Sequence, residues 1–263
     1  MNAEKERLQN PEWKFWGPYV SNRQWGTVRE DYSSNGNAWG HTTYDDAISR
    51  AYRWSEDGIA GICDSKQRLC FALSFWNKHD KMLKERFFGL SNYQGNHGED
   101  LKEIFYYLDN TPSHSYMKMV YKYPINAFPY DELIIENENR SKHDPEYEIS
   151  DTPIFKEQEY FDIFIEYAKI NHDDILVRVT CFNRSNRKAS LVILPTIWYR
   201  NNWKWGHGTY EPQLKSSVNG IIDIEHDSIS LKKMYARHPN TEVLFCNNES
   251  NPKVIPNCET TAQ

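Results

Sequence analysis

The sequence lacks a surplus of basic charge, a long apolar run and clustered cysteines. Against 31 Lys and Arg stand 37 Asp and Glu, giving a net charge of −6 and a pI near 5.9. A chain of that sign has no basic field with which to neutralise phosphates, which argues against general nucleic-acid binding. No apolar run approaches the length of about 18 residues that a membrane-spanning helix needs, so no membrane partner is expected. The first residues, MNAEKERLQNPEWK, hold no apolar stretch of the signal-peptide kind. Five cysteines (Cys63, Cys70, Cys181, Cys246 and Cys258) are scattered, and none forms a C-x-x-C, which points to reduced thiols in a cytoplasmic protein. G-x-S-x-G, the P-loop and G-x-G-x-x-G are all missing, so nucleophile-elbow and nucleotide-binding chemistry lose their signatures. Cys70 lies in an apolar run and reads as a buried, inert thiol.

What the chain does have is aromatic mass. Nine Trp and seventeen Tyr in 263 residues, with 39% hydrophobic residues, specify a folded chain with a sizeable core. The second half alternates at period two. In EYFDIFIEYAK (159–169), Phe161, Ile163, Ile165 and Tyr167 share one face, and DILVRVTCF (174–182) repeats the pattern. SLVILPTIWYR (190–200) follows the polar SNRK, and the two runs around that break read as a hairpin. Pro195 marks its strand as an edge or a bulge. GIIDIEH (220–226) and SISLKKMYA (228–236) read as a further hairpin turning near Asp227, and TEVLFC (241–246) as one more strand. In the first half, KQRLCFALSFWN (66–77) and LKEIFYYLDN (101–110) read as strands. Thr111-Pro112 offers a helix cap at the head of TPSHSYMKMVYKYP (111–124), and 134–153 reads as an exposed acidic loop within the domain. Strands separated by short polar turns predict an all-β fold with a few short helices, a large antiparallel β-sandwich or supersandwich.

Candidate sites follow from residue type. Glu30-Asp31, Glu56-Asp57 and Glu99-Asp100 are adjacent carboxylates of the kind that could act on a sugar, although turns and caps use the same residues. GNHGED (95–100) brackets Asn96 and His97 with glycines and ends in Glu99 and Asp100; this suits hydrogen bonding to a sugar hydroxyl or the pinning of a loop. With no second His at i+3 or i+4, no metal is expected there, and no cofactor is expected anywhere. The tryptophans fall in two groups, within residues 13–76 and at Trp198, Trp203 and Trp205. Indole faces stack on the C–H faces of sugars and also fill cores. Trp198 lies in strand register and reads as core, whereas Trp203 and Trp205, among Asn201, Asn202, Gly206 and Gly208, suit contact with a ligand or a second domain as well as core.

These stretches also carry a resemblance. WGPYVSNRQWGTVREDYS, RAYRWSEDGIAGICDSKQRLCFALSFWN, GNHGEDLKEIFYYLDNTPSHSYMKMVYKYP, LVRVTCFNRS and LPTIWYRNNWKWG, spread from Trp16 to about Asn248, resemble the N-terminal region of bacterial glucosidase-like proteins related to glycoside hydrolase family 63. WGPY and HGED are more faintly similar to the amino-terminal domain of the processing α-glucosidases. The resemblance implies a β-sandwich that precedes an (α/α)6 toroid, where the toroid supplies the acid and base of an inverting glycosidase. It divides the chain into an N-terminal arm (1–15), a sandwich (16–250) and a tail (251–263) ahead of a missing toroid. No catalytic residue carries over, the membrane anchor of the processing enzymes has no counterpart, and the chain alone is expected to be inactive. Its expected partners are the toroid of the full-length protein and an oligosaccharide, with Trp25, Arg29, Glu30, Asp31 and Trp39 facing the toroid or the cleft. Two other readings remain open: a stand-alone carbohydrate-binding module, and an epimerase-type enzyme using His97 with Glu99 or His207 with Glu211.

Overall fold

The computed structural model describes residues 2–19, 58–90, 92–98, 100–203, 210–218, 220–236 and 241–246. Trp25, Arg29, Glu30, Asp31, Trp39, Glu56, Asp57, Glu99, Trp205 and His207 lie outside them. The fold is all-β and antiparallel, with short helices at its margins.

The larger sheet contains β5 (Ile104–Asn110), β6 (Tyr116–Pro124), β7 (Tyr160–Asn171) and β8 (Asp174–Asn183), in that spatial order. Alternation dictates its faces. Met117, Met119, Tyr121 and Tyr123 of β6 stand opposite Tyr167, Ile165, Ile163 and Phe161 of β7, and all eight are buried. Facing them is a three-stranded sheet of β1 (Ile59–Cys63), β2 (Leu69–Trp76) and β9 (Val192–Tyr199), with β2 in the middle. It contributes Ile59, Ala60, Ile62, Leu73 and Phe75 to the same core, which closes a sandwich. Each such apolar side chain adds about 1.5–3 kcal/mol relative to exposure. The register slips between Ile59 and Ile62, and the Ala60 carbonyl there accepts the buried Tyr167 hydroxyl at 2.6 Å.

A third sheet, β10 (Gln213–Val218), β11 (Ile221–His226) and β12 (Ile229–Tyr235), packs Ile224 and Ile229 against Trp16, Leu69 and Tyr199. β3 (Gly89–Leu90) and β4 (Asp100–Leu101) form a short pair. Among the described residues the α-helices are α1 (Ala3–Arg7), α2 (Tyr130–Asn139) and α3 (Pro153–Lys156). Among the described residues no helix is long and apolar enough to cross a membrane. The N-terminal residues dock on the sandwich. The Glu4 carboxylate accepts from the Ser113 amide (2.7 Å) and the Ser115 hydroxyl (3.2 Å), and Lys169 Nζ donates to the carbonyls of Trp13 (2.6 Å) and Trp16 (2.7 Å). Burial brings the Lys169 ammonium down to about 8.

Four expectations are corrected. Residues 116–124 form a strand, not a helix: Thr111 closes a turn onto Tyr116 through both its backbone and its Oγ1, and the Met-x-Met-x-Tyr-x-Tyr alternation then pairs with β7. β8 does not pair with 190–200; it pairs with β7 across a turn at His172-Asp173, and β9 runs beside β2 in the other sheet. Pro195 does sit on an edge strand there, opposite Leu73. Residues 134–153 are exposed over much of their length but are not a plain loop, because α2, a 3-10 turn and α3 lie in or overlap that span, with Leu133, Asn137, Ile149 and Thr152 buried along this stretch. TEVLFC forms no strand, and Leu244 and Phe245 are exposed. The hairpin at 220–236 and the strands at 66–77 and 101–110 are present.

Candidate functional site

The Gly95–Asp100 loop lies against the segment after α2. Asn96 Nδ2 donates to the carbonyls of Ser141 (3.1 Å) and Asp144 (3.0 Å), and His97 Nε2 donates to the Asp144 carbonyl at 3.0 Å. Asp100, Glu146 and Glu148 bring carboxylate oxygens within 4.8 Å of one another. Their counter-ion belongs to the chain itself. The fully buried Lys102 Nζ lies 2.7 Å from Asp100, 3.1 Å from Glu148 and 3.5 Å from Glu146. Burial lifts the Glu146 carboxyl above the usual range, with Lys102 working against that and Asp100 adding to it. His97 and Asp100 thus serve to pin a loop, and the ammonium occupies the centre of the acidic cluster.

Trp203 leads to a different place. The β1–β2 turn, the end of β9 and the β11–β12 turn meet around a cleft of about 340 Å³, lined by Arg68, Tyr199, Arg200, Asn202, Trp203, Tyr210, Pro212, His226, Asp227 and Ser228. Local sequence explains how each wall is held. The fully buried Asp64 carboxylate accepts the amides of Lys66, Arg68 and Leu69, each at 2.8 Å, which shapes the tight turn that presents Arg68. Arg68 Nε donates to Asp64 (3.3 Å), and its Nη1 reaches Ser228 across the cleft, at 2.8 Å to the carbonyl and 3.2 Å to Oγ. Tyr199 ends β9 and donates its hydroxyl to the Glu225 carbonyl at 2.7 Å, tying the sandwich to the third sheet.

His226 ends β11 with its ring between Tyr199 (centroids 5.4 Å apart) and Tyr210 (5.5 Å, edge-on). The Ser228 amide lies 3.0 Å from His226 Nδ1, a contact that suits a bare nitrogen, whereas Asp227 suits a protonated one. Asp227 Oδ1 lies 2.9 Å from that same Nδ1. Burial holds the imidazole below its ordinary value; Asp227 pulls it up and Arg68 pushes it down. The arrangement offers two aromatic faces, an indole and several N–H donors to a small polar ligand, at the low end of the usual size of about 300–1,000 Å³ for such sites.

Of the residues singled out from sequence, Trp203 lines this cleft, while His97 and Asp100 lie in the pinned loop. Trp198 is core, buried with Cys63, Cys70 and Ala72. Arg68, Tyr199, Tyr210 and His226 were not foreseen. The sequence cue that could have found His226 is its place directly before the Asp227-Ser228 hairpin turn. The described cysteines, Cys63, Cys70, Cys181 and Cys246, are in no disulfide.

The chain is similar to a protein of Saccharomyces cerevisiae named Uncharacterized protein YMR196W. The two are 48% identical over 259 residues. That match covers 92% of this chain but 23% of the yeast protein, so the chain spans less than a quarter of the length of this curated relative. No family model and no solved structure matches the chain.

Proposed function

We propose that this chain is a non-catalytic β-sandwich of a glucosidase-like glycoside hydrolase, which packs on a catalytic (α/α)6 domain and contributes one wall of the oligosaccharide cleft. The observation that carries this reading is the cleft of Tyr199, Trp203, Tyr210 and His226 where the sandwich meets its third sheet. Flat apolar faces beside hydrogen-bonding groups are what a pyranose ring requires, with its C–H faces and ring of hydroxyls. A relative about four times as long as the matched part leaves room for a toroid in the whole protein. The distribution of chemistry agrees: the tight carboxylate cluster of Asp100, Glu146 and Glu148 already holds the Lys102 ammonium as its counter-ion. The four described cysteines, none of them in a disulfide, fit a cytoplasmic setting.

The test is a titration of the purified chain with glucose and maltose, followed by tryptophan fluorescence, alongside a glucosidase assay. The expected result is saturable quenching that Trp203→Leu removes, with no hydrolysis. Hydrolysis by this chain alone would overturn the non-catalytic reading. Quenching that Trp203→Leu leaves intact would remove the cleft from it.

A further inference from the structure

We propose that the sugar this cleft takes carries an oxyanion, a carboxylate or a phosphate, held by Arg68 and Arg200. The inference rests on the sugar-cleft reading above and narrows it to a ligand class.

It comes from counting donors against acceptors around the cleft. Arg68 uses Nε on Asp64 and Nη1 on Ser228, which leaves Nη2 without a partner among the described residues. Arg200 gives Nη1 to the side-chain oxygen of Gln67 at 3.0 Å and pairs with no carboxylate among the described residues. Trp203 Nε1–H is buried and has no hydrogen-bond partner among them. On the acceptor side, the one carboxylate among the lining residues, Asp227, is 59% exposed and lies at the Nδ1 side of His226, and the side-chain oxygens of Tyr199, Asn202, Tyr210 and Ser228 are uncharged. A sugar hydroxyl can accept such an N–H group too, but through a single uncharged oxygen. A carboxylate or phosphate only accepts, and guanidinium forks meet it with paired charge-assisted hydrogen bonds.

The experiment titrates the purified chain at low salt with glucose, glucuronate, glucose 6-phosphate and inorganic phosphate, reading amide shifts of residues 199–203 and 226–228 by NMR. Glucuronate or glucose 6-phosphate is expected to bind about tenfold or more tightly than glucose, with the tighter of the two naming the oxyanion. Arg200→Gln is expected to abolish the difference and Arg200→Lys to keep part of it, with each variant's melting curve confirming that it folds. Glucose binding as tightly as either acid overturns the oxyanion inference and leaves the sugar reading standing. Inorganic phosphate binding as tightly as the phosphosugar supports the anion site and overturns the sugar reading. Shifts with none of the four overturn both.

Discussion

Lys84 and Glu103 are both fully buried side chains in contact with each other, and everything around them is arranged for a charged pair. Lys84 Nζ also stands 4.1 Å from the ring centre of Phe128 and 4.8 Å from that of Tyr130. Glu103 accepts from the Tyr121 hydroxyl (2.9 Å) and the Phe88 amide (3.1 Å). Burial pushes the Glu103 carboxyl up while Lys84 pulls it down. Removing one charge strands the other in a dry site. Glu103→Gln is therefore expected to cost about 3–5 kcal/mol in urea unfolding. Lys84→Met on top of it should recover most of that loss, since the Gln oxygen can accept from the Phe88 amide while its NH2 donates to the Tyr121 hydroxyl oxygen. Two losses that simply add would show that the pair is not coupled. The candidate site was only partly legible at this scale. Trp203 could be picked out as an indole among asparagines and glycines, and it serves both the third core cluster and the cleft. Its companions come from positions 68, 199, 210 and 226, and only the fold brings them together. The partners of Asn96 in the pinned loop lie 45 and 48 residues away, beyond any local pattern.

Elements are held apart or together by what fits between them, and two glycines separate space from backbone conformation. Gly58, leading into β1, has φ +81°, and a Cβ there would lie 2.2 Å from the Ala72 Cβ of β2. Gly98 has φ +105° with nothing within 4 Å of such a Cβ. Both substitutions to Ala are strained by the backbone, at about 1–3 kcal/mol. Gly58→Ala must also push β1 from β2, so its melting temperature is expected to fall clearly further than that of Gly98→Ala. Equal losses would mean that the sheet yields without cost. The strands legible from sequence were those with one buried face: β7 showed its Phe161-Ile163-Ile165-Tyr167 stripe directly. β6 was hidden by Thr111-Pro112, a pair that suits a helix start but closes a turn here. α2 was hidden because it buries little more than Leu133 and Asn137. Asn137 works there as a polar pin: its side-chain amide donates to the carbonyls of Leu133 and Tyr147 and accepts the Tyr147 amide at 2.8 Å. Pairing was the least legible property, because alternation shows that β8 and β9 are strands without saying which neighbour each one takes.

For the whole molecule, a sandwich with open sheets must keep its edges from pairing with other copies. β8 is an edge strand of the larger sheet, and its ILVRVTCF core (175–182) has one charge, Arg178, with Leu176 and Phe182 exposed on either side of it. Short, β-prone, uncharged stretches on an exposed edge nucleate aggregation. Arg178 interrupts this one, and its guanidinium grips Glu166 on β7 with two hydrogen bonds of 2.8 Å. That grip, with the Tyr116 hydroxyl, holds the Glu166 carboxyl down at about 2. A depressed carboxylate contributes stability that is present above its unfolded value near 4.5 and is lost as pH falls towards 2, and because the pair is solvent-facing, salt weakens the effect. Arg178→Val and Arg178→Gln should both flatten the fall in stability between pH 4.5 and 2, since each breaks the grip on Glu166. They should differ in light scattering at neutral pH. Val leaves an uninterrupted apolar edge and is expected to aggregate, whereas Gln keeps a polar break and should stay largely monomeric. Equal scattering by the two would place the protection in the ion pair, and an unchanged acid slope would remove Arg178 as the group that holds Glu166 ionised.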